Sequence, residues 1–563
     1  MSEGPASPRS IRLRFGVWVG VVAGLLVGMP AWFWSLRGPR ILDNDLLLIG
    51  GWAAFSALAF ALWLLLRTTP PNAIKLDPRR SQFIILAGAI WLHAHALFLL
   101  QPALSEDVLC YRRDGLIWLH GYSSYAPLSP WVFAYTLEWN ELDRVWATHW
   151  GDATIYLPTS QIAFAALRRL EQSASPETWA EWVIVEYPRN VLWPREISLA
   201  PLLVWRAAFA GASLLATGLL LRLLARSGRS PWYAAVFAWH PLTIVETAGM
   251  AHQDVIGIVL LLGAALLWGQ AGNVKSASLV GAPPLRSPEA GPPGESDVDP
   301  NPNSDAAPDE RPARPATRPV LGYHRGPARG TWLFPVLAGV LLALAVGVNP
   351  IAGVVAVFWV IRRPRRDWLL PFVVTVLLLL SVFLYQDGYD GFLQTLGTYA
   401  REWEANGSVY ELIRTQVKPV WLPGIELLIE PPDLGRMVAA AGVAAVAIAC
   451  VRRRATWEAA CYAVCLAGLL LGPVACAWHL LWPLAIVPLL RRGGETLLVF
   501  ATTVGVSYAH WHATDEKLPA WMSVVEYVPV YVTLLIEWRR LARPATGVGR
   551  GHEFATAPNG VAA

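Results

Sequence analysis

Runs of apolar residues alternate along this chain with short polar connections. A hydrocarbon core about 30 Å thick takes roughly 20 residues of helix. By that measure about fourteen runs qualify. They lie near 15–36, 46–66, 83–103, 200–225, 232–250, 253–270, 332–347, 350–361, 368–385, 435–451, 457–474, 476–490, 495–510 and 520–538, those near 350–361 and 476–490 being short. The pattern predicts an all-α polytopic membrane protein.

Lys and Arg fall on every second connection. With Arg9, Arg12 and Arg14 in the cytoplasm, the same side receives Arg67, Lys75, Arg79 and Arg80, then Arg226 and Arg229, then Arg362, Arg363, Arg365 and Arg366. Arg452, Arg453 and Arg454 follow, then Arg491 and Arg492, then Arg539, Arg540 and Arg543. Positive charge is retained on the cytoplasmic side, so both termini are expected there; the membrane itself is expected to be the inner (plasma) membrane. Two sizeable outer loops result, at 104–199 and 386–434, both rich in Trp, Tyr and Pro. The apolar stretch Ile155–Leu170 lies inside the first loop, and parity forbids it a full span. It reads as an interfacial or re-entrant helix.

These features divide the chain into transmembrane helices at 1–103, the first outer loop at 104–199, helices at 200–271, a linker at 272–331, helices at 332–385, the second outer loop at 386–434, helices at 435–540 and a tail at 541–563. The linker is dense in Pro, Gly, Ser and charge. Such a composition buries no core and is expected to be disordered, as is the tail.

Composition strengthens the membrane reading. Apolar residues make up 55% of the chain and charged residues 15%, against a usual quarter. The 29 Trp residues suit a membrane–water interface, where an apolar ring and a polar N–H are both satisfied. A net charge of +4 gives no case for nucleic acid. The first apolar run is too long for a cleavable signal and reads as a signal anchor. Of the five cysteines, Cys450, Cys461, Cys465 and Cys476 lie in or beside apolar segments and Cys110 in the first loop. No disulfide framework is readable, and Cys461 with Cys465 reads as helix packing.

Three clusters carry candidate chemistry. In LSEDVLCYRRDG, Glu106 and Asp107 emerge where the third span ends, and Arg112, Arg113 and Asp114 follow. A carboxylate there can act as general base towards a hydroxyl; the spacing alone favours a solvated helix end with paired charges. In WHPLTIVETAGMAHQDV, two apolar runs meet at His252 and Asp254 with almost no connection, and Glu246 lies about one turn inside. Ionisable groups at membrane depth are functional candidates by default, although Asp254 also suits a helix cap. In the second loop, aromatic and charged residues alternate, which suits a sugar or lipid headgroup. Asn406-Gly407-Ser408 there matches a glycosylation sequon. His479, His510 and His512 match no compact metal motif.

In order along the chain, these residues resemble the GT-C class of polyprenol-phosphate-sugar-dependent glycosyltransferases, and more closely the bacterial mannosyltransferases. The resemblance runs through Ser105, Glu106, Asp107, Asp114, Gly115, Gly121 and Tyr125, then His149, Thr154, Ile155, Tyr156, Pro158 and Gln161. It continues in Trp239, Pro241, Leu242, Glu246, His252 and Asp254, in Tyr399, Trp403, Asn406 and Gly407, and in Trp478, Leu481, Trp482 and Pro483. It ends in Trp521, Glu526, Tyr527 and Pro529. The chain departs from the family at Cys110 (usually Arg), Arg113 (usually Trp), Ser124 (usually Pro), Asn349 (usually Lys) and His479 (usually Tyr). The first and fourth of these remove two phosphate contacts.

The resemblance implies a GT-C-like bundle of about fourteen transmembrane helices with two sizeable outer loops containing interfacial helices, and an inverting transfer of a sugar, in the first instance mannose, from polyprenyl phosphate to a hydroxyl of a glycolipid or glycan at the outer face. Asp107, beside Glu106, is implied as catalytic base. His252, Asp254, Arg112, Arg113, Tyr156 and Gln161 are implied as contacts of the donor sugar or phosphate, and Tyr399, Trp403 and Asn406 as acceptor or loop contacts. No metal or cofactor is implied; membrane lipids and the lipid-linked sugar are the partners. Two other readings suit many spans and embedded polar groups: a secondary transporter or lipid flippase, and a catalytically inactive relative acting in envelope assembly.

Overall fold

The computed structural model describes residues 8–36, 45–68, 77–100, 105, 107–126, 153–174, 184–185, 197–198, 200–280, 332–362, 366–422, 427–507 and 519–542. The chain is α-helical and membrane-embedded. Helix α1 (Pro8–Ala23) runs through a π turn, Gly24–Gly28, into α2 (Met29–Ser35). Then come α3 (Asp45–Thr68), α4 (Pro78–Leu99), α5 (Asp107–Leu119) and α6 (Pro158–Ser173). A two-residue ladder, β1 (Ile184–Val185) with β2 (Ile197–Ser198), precedes α7 (Ala200–Arg226) and α8 (Tyr233–Ala238). Helix α9 (Pro241–Ile244) widens into a second π turn, Val245–Gly249, and α10 (Asp254–Val280) follows.

The second half begins with α11 (Leu333–Val346), α12 (Gly353–Arg362) and α13 (Arg366–Ser381). A 3₁₀ segment, Val382–Asp387, joins α13 to α14 (Gly388–Glu402), and α15 (Val409–Gln416) follows. An antiparallel hairpin pairs β3 (Val420–Leu422) with β4 (Leu427–Ile429). The remaining helices are α16 (Pro431–Arg452), α17 (Trp457–Leu471), α18 (Leu481–Ile486), α19 (Glu495–Thr503) and α20 (Ala520–Ala542). The two ladders lie in the loops, whose other elements among the described residues are helices.

Among the described residues, six helical segments are long and apolar enough to cross a membrane: Phe15–Ser35, Leu46–Thr68, Pro78–Leu99, Leu202–Arg226, Asp367–Tyr385 and Pro431–Arg452. A seventh arises if Pro241–Gly249 and Asp254–Gly269, bent by 116° at their junction, count as one span. Five further apolar helices are shorter than a bilayer is thick. The expectation of about fourteen full spans is therefore met only in its coarser form. The physical reason is punctuation inside the apolar runs. The run near 232–250 breaks at Trp239 and His240 ahead of Pro241, and the run near 476–490 is split between 3₁₀ and α turns. Ile155–Leu170 becomes α6, which begins only at Pro158. Helix α10 runs on to Val280, past residue 272 where the linker was expected to begin; residues 281–331 and 543–563, with the rest of the linker and nearly all the tail, lie outside the described residues.

The basic connections come together at one end of the bundle. Arg67 donates to the carbonyls of Arg491 (2.5 Å) and Gly493 (2.6 Å), and Arg229 to that of Leu490 (2.9 Å). Glu537 caps the start of α19 at the same end, accepting from the backbone N–H groups of Gly494 and Thr496. Of the basic connections, those at Arg67, Arg229 and Arg491 thus share one end. Tryptophan is distributed differently from the expectation. Trp52, Trp63, Trp205, Trp232, Trp239, Trp368 and Trp482 are fully buried. Two of these indoles hydrogen-bond to carbonyls of neighbouring helices, Trp52 to Ala501 (2.8 Å) and Trp239 to Ile85 (3.1 Å). Indole therefore serves as core glue here as well as interface anchor. All five cysteines are free, and the sulfurs of Cys461 and Cys465 lie 3.9 Å apart within α17.

Candidate functional site

The site is built around the reversal between α9 and α10. Pro241 starts α9 at a position where its missing N–H costs nothing, and His240 Nδ1 accepts from Leu242 N (3.2 Å). The π turn that follows closes with Met250 N on Val245 O (2.7 Å), and His252 N reaches Glu246 O (2.8 Å). Ala251 takes a left-handed backbone (φ 64°), costing roughly 1–2 kcal/mol for a residue with a Cβ. The strained residue sits directly before His252. Arg206 of α7 holds the turn, donating to Ala248 O (2.8 Å) and, from the same guanidinium, to Ala96 O of α4 (2.8 Å).

His252 is wholly buried and lies between two carboxylates. Its Nδ1 is 3.5 Å from Asp107 Oδ2, and its Nε2 is 3.2 Å from Glu246 Oε2. Both distances suit ion pairing more than direct hydrogen bonds. Its ring stacks on Trp478, with centroids 4.5 Å apart and planes 14° from parallel. In the connection between α9 and α10, burial opposes a charge on His252, but Asp107, Glu246 and Asp254 together outweigh it and hold the pKa above its ordinary value. Asp107 is 30% exposed while His252 and Glu246 are closed. The three form a line from the surface inwards.

Asp254 is the first residue of α10, and its Oδ1 accepts from Trp482 Nε1 (2.7 Å) and Asn349 Nδ2 (3.3 Å). Trp482 reaches it because Gly257, one turn on, has no side chain: a Cβ there would lie 2.5 Å from the indole. Asn349, where the resemblance expects Lys, also caps its own helical turn by accepting from Ile351 N (3.1 Å). Its amide thus links Asp254 to the start of the Pro350 segment.

Arg112 and Arg113, expected at a donor phosphate, are placed differently. Arg112 is 1% exposed and makes a two-pronged pair with Glu171 of α6 (2.9 and 2.6 Å). Arg168 and Trp205 also donate to that carboxylate (2.6 and 2.7 Å). Burial alone would raise the Glu171 pKa; Arg112 and Arg168 overcome it and hold it below the usual range. Arg113 pairs with Asp114 (3.0 Å). Gln161 donates to Asp114 Oδ2 (2.9 Å) and to Thr154 Oγ1 (3.1 Å). Tyr156, whose ring packs edge-on against Tyr111 (5.0 Å), lies within electrostatic reach of Asp107. Helices α5 and α6 approach so closely that a Cβ on Gly115 would lie 2.5 Å from Phe164 O.

From the second loop, Tyr399 comes within electrostatic reach of Asp107 and Asp254, and burial pushes its phenol pKa up. Its ring lies 4.2 Å from that of Trp403. Asn406, in a left-handed conformation (φ 54°), donates to Glu526 (2.7 Å), Ser507 (2.9 Å) and Ala475 O (3.3 Å), while Tyr527 donates to its carbonyl. Its amide nitrogen is engaged in anchoring the loop, which closes the sequon as it stands. Glu106, His149, His510 and His512 lie outside the described residues.

Asp107, His252, Asp254, Tyr156 and Tyr399 are therefore brought together, whereas Arg112 and Gln161 brace α5 on α6, Arg113 pairs with Asp114 within α5, and Asn406 braces the second loop. Sequence reasoning did not assign roles to Glu171, Trp205 or Ser507, and no motif marks them. Trp478, Trp482 and Glu526 stand in matched blocks and Asn349 at a departure from the family pattern, signals from which their place beside the site could have been read. No family model matches the chain, and no characterised protein or solved structure is detectably similar to it. Among the described residues no three His, Cys, Asp or Glu side chains are grouped to hold a metal.

Proposed function

We propose that the protein is a membrane glycosyltransferase that moves a sugar, mannose in the first instance, from polyprenyl phosphate to a hydroxyl acceptor at the outer face. The observation that carries this reading is the line Asp107–His252–Glu246, with its half-exposed carboxylate outermost. Asp107 takes the acceptor proton as the acceptor oxygen bonds to the anomeric carbon. The anomeric C–O bond breaks with inversion, and its electron pair leaves on the polyprenyl phosphate. His252 fixes Asp107 and places a positive charge beside it; Glu246 holds the imidazole from behind. A leaving phosphate needs cationic or hydrogen-bonding stabilisation more than a general acid, and His252 and Tyr399 are the groups proposed to supply it. The finer architecture, a GT-C-like arrangement of about fourteen membrane passes with the Asp107 end outside and both termini in the cytoplasm of the inner membrane, belongs to the same proposal.

The test is incubation of membranes with radiolabelled polyprenyl-phosphate mannose and polyprenyl-phosphate glucose, with analysis of the product. Label transferred by the native chain and lost in Asp107→Asn supports the reading; equal transfer by both rejects it. One feature favours a second reading, a proton-coupled carrier. The helix is broken at Met250–Gln253 beside the buried Glu246 and His252, as broken helices in carriers flank their sites. Uptake into vesicles driven by a pH gradient, with no covalent change in the lipid, would establish it instead.

A further inference from the structure

The second loop presents a face that neither the bundle nor water accounts for. Helix α14 has three sides. Gly388 and Gly391 are buried against the bundle. There Phe392 packs on Phe383 (4.4 Å) and Tyr125 (5.6 Å), and a Cβ on Gly388 would lie 2.8 Å from Tyr125. Asp390, Gln394, Thr398 and Arg401 are exposed and polar, at spacings of four, four and three. Between these sides runs an exposed apolar stripe with the same helical spacing, Tyr385, Tyr389 (54%), Leu393 (45%) and Leu396. The hairpin carries a second apolar patch. Trp421 (54% exposed) and Leu428 face each other across β3 and β4. A two-stranded hairpin with apolar residues on both faces is not stable in water alone.

Where these patches lie follows from chain connectivity. The apolar segment Asp367–Tyr385 ends on the first residue of the stripe, and Pro431–Arg452 begins two residues after Ile429. Two extended residues span only about 7 Å, so both elements stay at the surface of whatever bilayer those segments cross. Tyr385 shows the mixed chemistry of that depth: its ring is half exposed while its hydroxyl donates to Gly121 O (2.8 Å). Tyrosine and tryptophan favour this level, with the ring among acyl chains and the polar atom towards water.

We propose that the α14 stripe and the Trp421–Leu428 patch are immersed in the headgroup–acyl boundary of the bilayer, so that α14 lies in the membrane plane. The occupant of this face is phospholipid. The same helix carries Tyr399 to within electrostatic reach of Asp107 and Asp254. The candidate site is thereby held at headgroup depth. The immersion holds whether or not the site transfers sugar.

The test uses spin labels on single cysteines in the full chain, reconstituted in phosphatidylcholine–phosphatidylglycerol vesicles. Cys110 and Cys450 are replaced, while buried Cys461, Cys465 and Cys476 are kept. A label at Leu393→Cys or Trp421→Cys should relax strongly with oxygen, which concentrates in acyl chains, and weakly with a water-soluble nickel chelate. A label at Gln394→Cys or Thr398→Cys should show the opposite order. No difference between the two sets, or an inverted one, overturns the proposal. Shielding of Leu393→Cys from both reagents overturns it too, and would place a protein partner or a second copy there. More than one label per chain signals that a variant has opened its buried cysteines; Leu396→Cys and Leu428→Cys then take its place.

Discussion

The two large loop regions meet at one site but are held in opposite ways. The first, α5 and α6, is closed upon itself. Glu171 collects Arg112, Arg168 and Trp205 inside a dry interface, and Asp114 collects Arg113 and Gln161 beside it. The second, α14 to β4, is tied to the bundle through Phe392 and Asn406, yet it exposes Tyr389, Leu393 and Trp421. Buried charges are costly unless every lone pair and proton is matched, so the first region has one geometry. The second takes its environment from outside the chain. A base needs the first kind of support, because a small displacement spoils proton transfer. A loop that receives a lipid-borne ligand gains from the second kind.

The largest expected effect tests the base itself. Asp107→Asn keeps the shape but cannot accept a proton, and transfer should fall by about 10²–10⁴-fold with expression unchanged. Glu106→Gln should lose much less; reversal of the two moves the base to Glu106. Breaking the first region should be nearly as severe, but through stability. Glu171→Gln leaves Arg112 and Arg168 without their charge, a loss of about 3–5 kcal/mol for a buried pair. It should appear as a lower melting temperature of the purified protein. If Glu171→Gln melts like the native chain, the closed character of this region is wrong.

Acid should produce the same weakness. A carboxyl whose folded pKa is depressed, as that of Glu171 is, contributes stability above the ordinary glutamate range, and this is lost as pH falls through the folded value. Glu171→Gln should therefore flatten the acid side of the melting-temperature profile, and an unchanged acid limb would assign the acid sensitivity elsewhere. On the second region the effects are smaller. Asn406→Ala strips the donor from buried Glu526, at about 1–3 kcal/mol. It should loosen the loop, read as faster proteolysis within 386–434 with the bundle intact. Smallest of all is the linker: trimming half of 281–331 changes loop closure by only about 0.6 kcal/mol, and folded yield should hold.

Much of this was legible in the sequence, for local reasons. Apolar runs and alternating basic connections specify membrane helices and which connections share an end, because burial in lipid and charge at its surface depend on nearest residues alone. Asp254 likewise marks a helix start where it stands. The resemblance picked out Asp107, His252 and Asp254, and the fold brings all three together. What local pattern could not decide was partnership. Arg112 reads in sequence as a free cation after a carboxylate pair, yet it is claimed by Glu171, 59 residues away. Asn349 reads as a lost lysine, yet it ties Asp254 to a helix from the other half of the chain. Trp482 reaches that same carboxylate across 228 residues, through the gap at Gly257. Whether a charged or polar group is available to a ligand depends on what packs against it, and at those separations only the tertiary structure brings the packing partner into place.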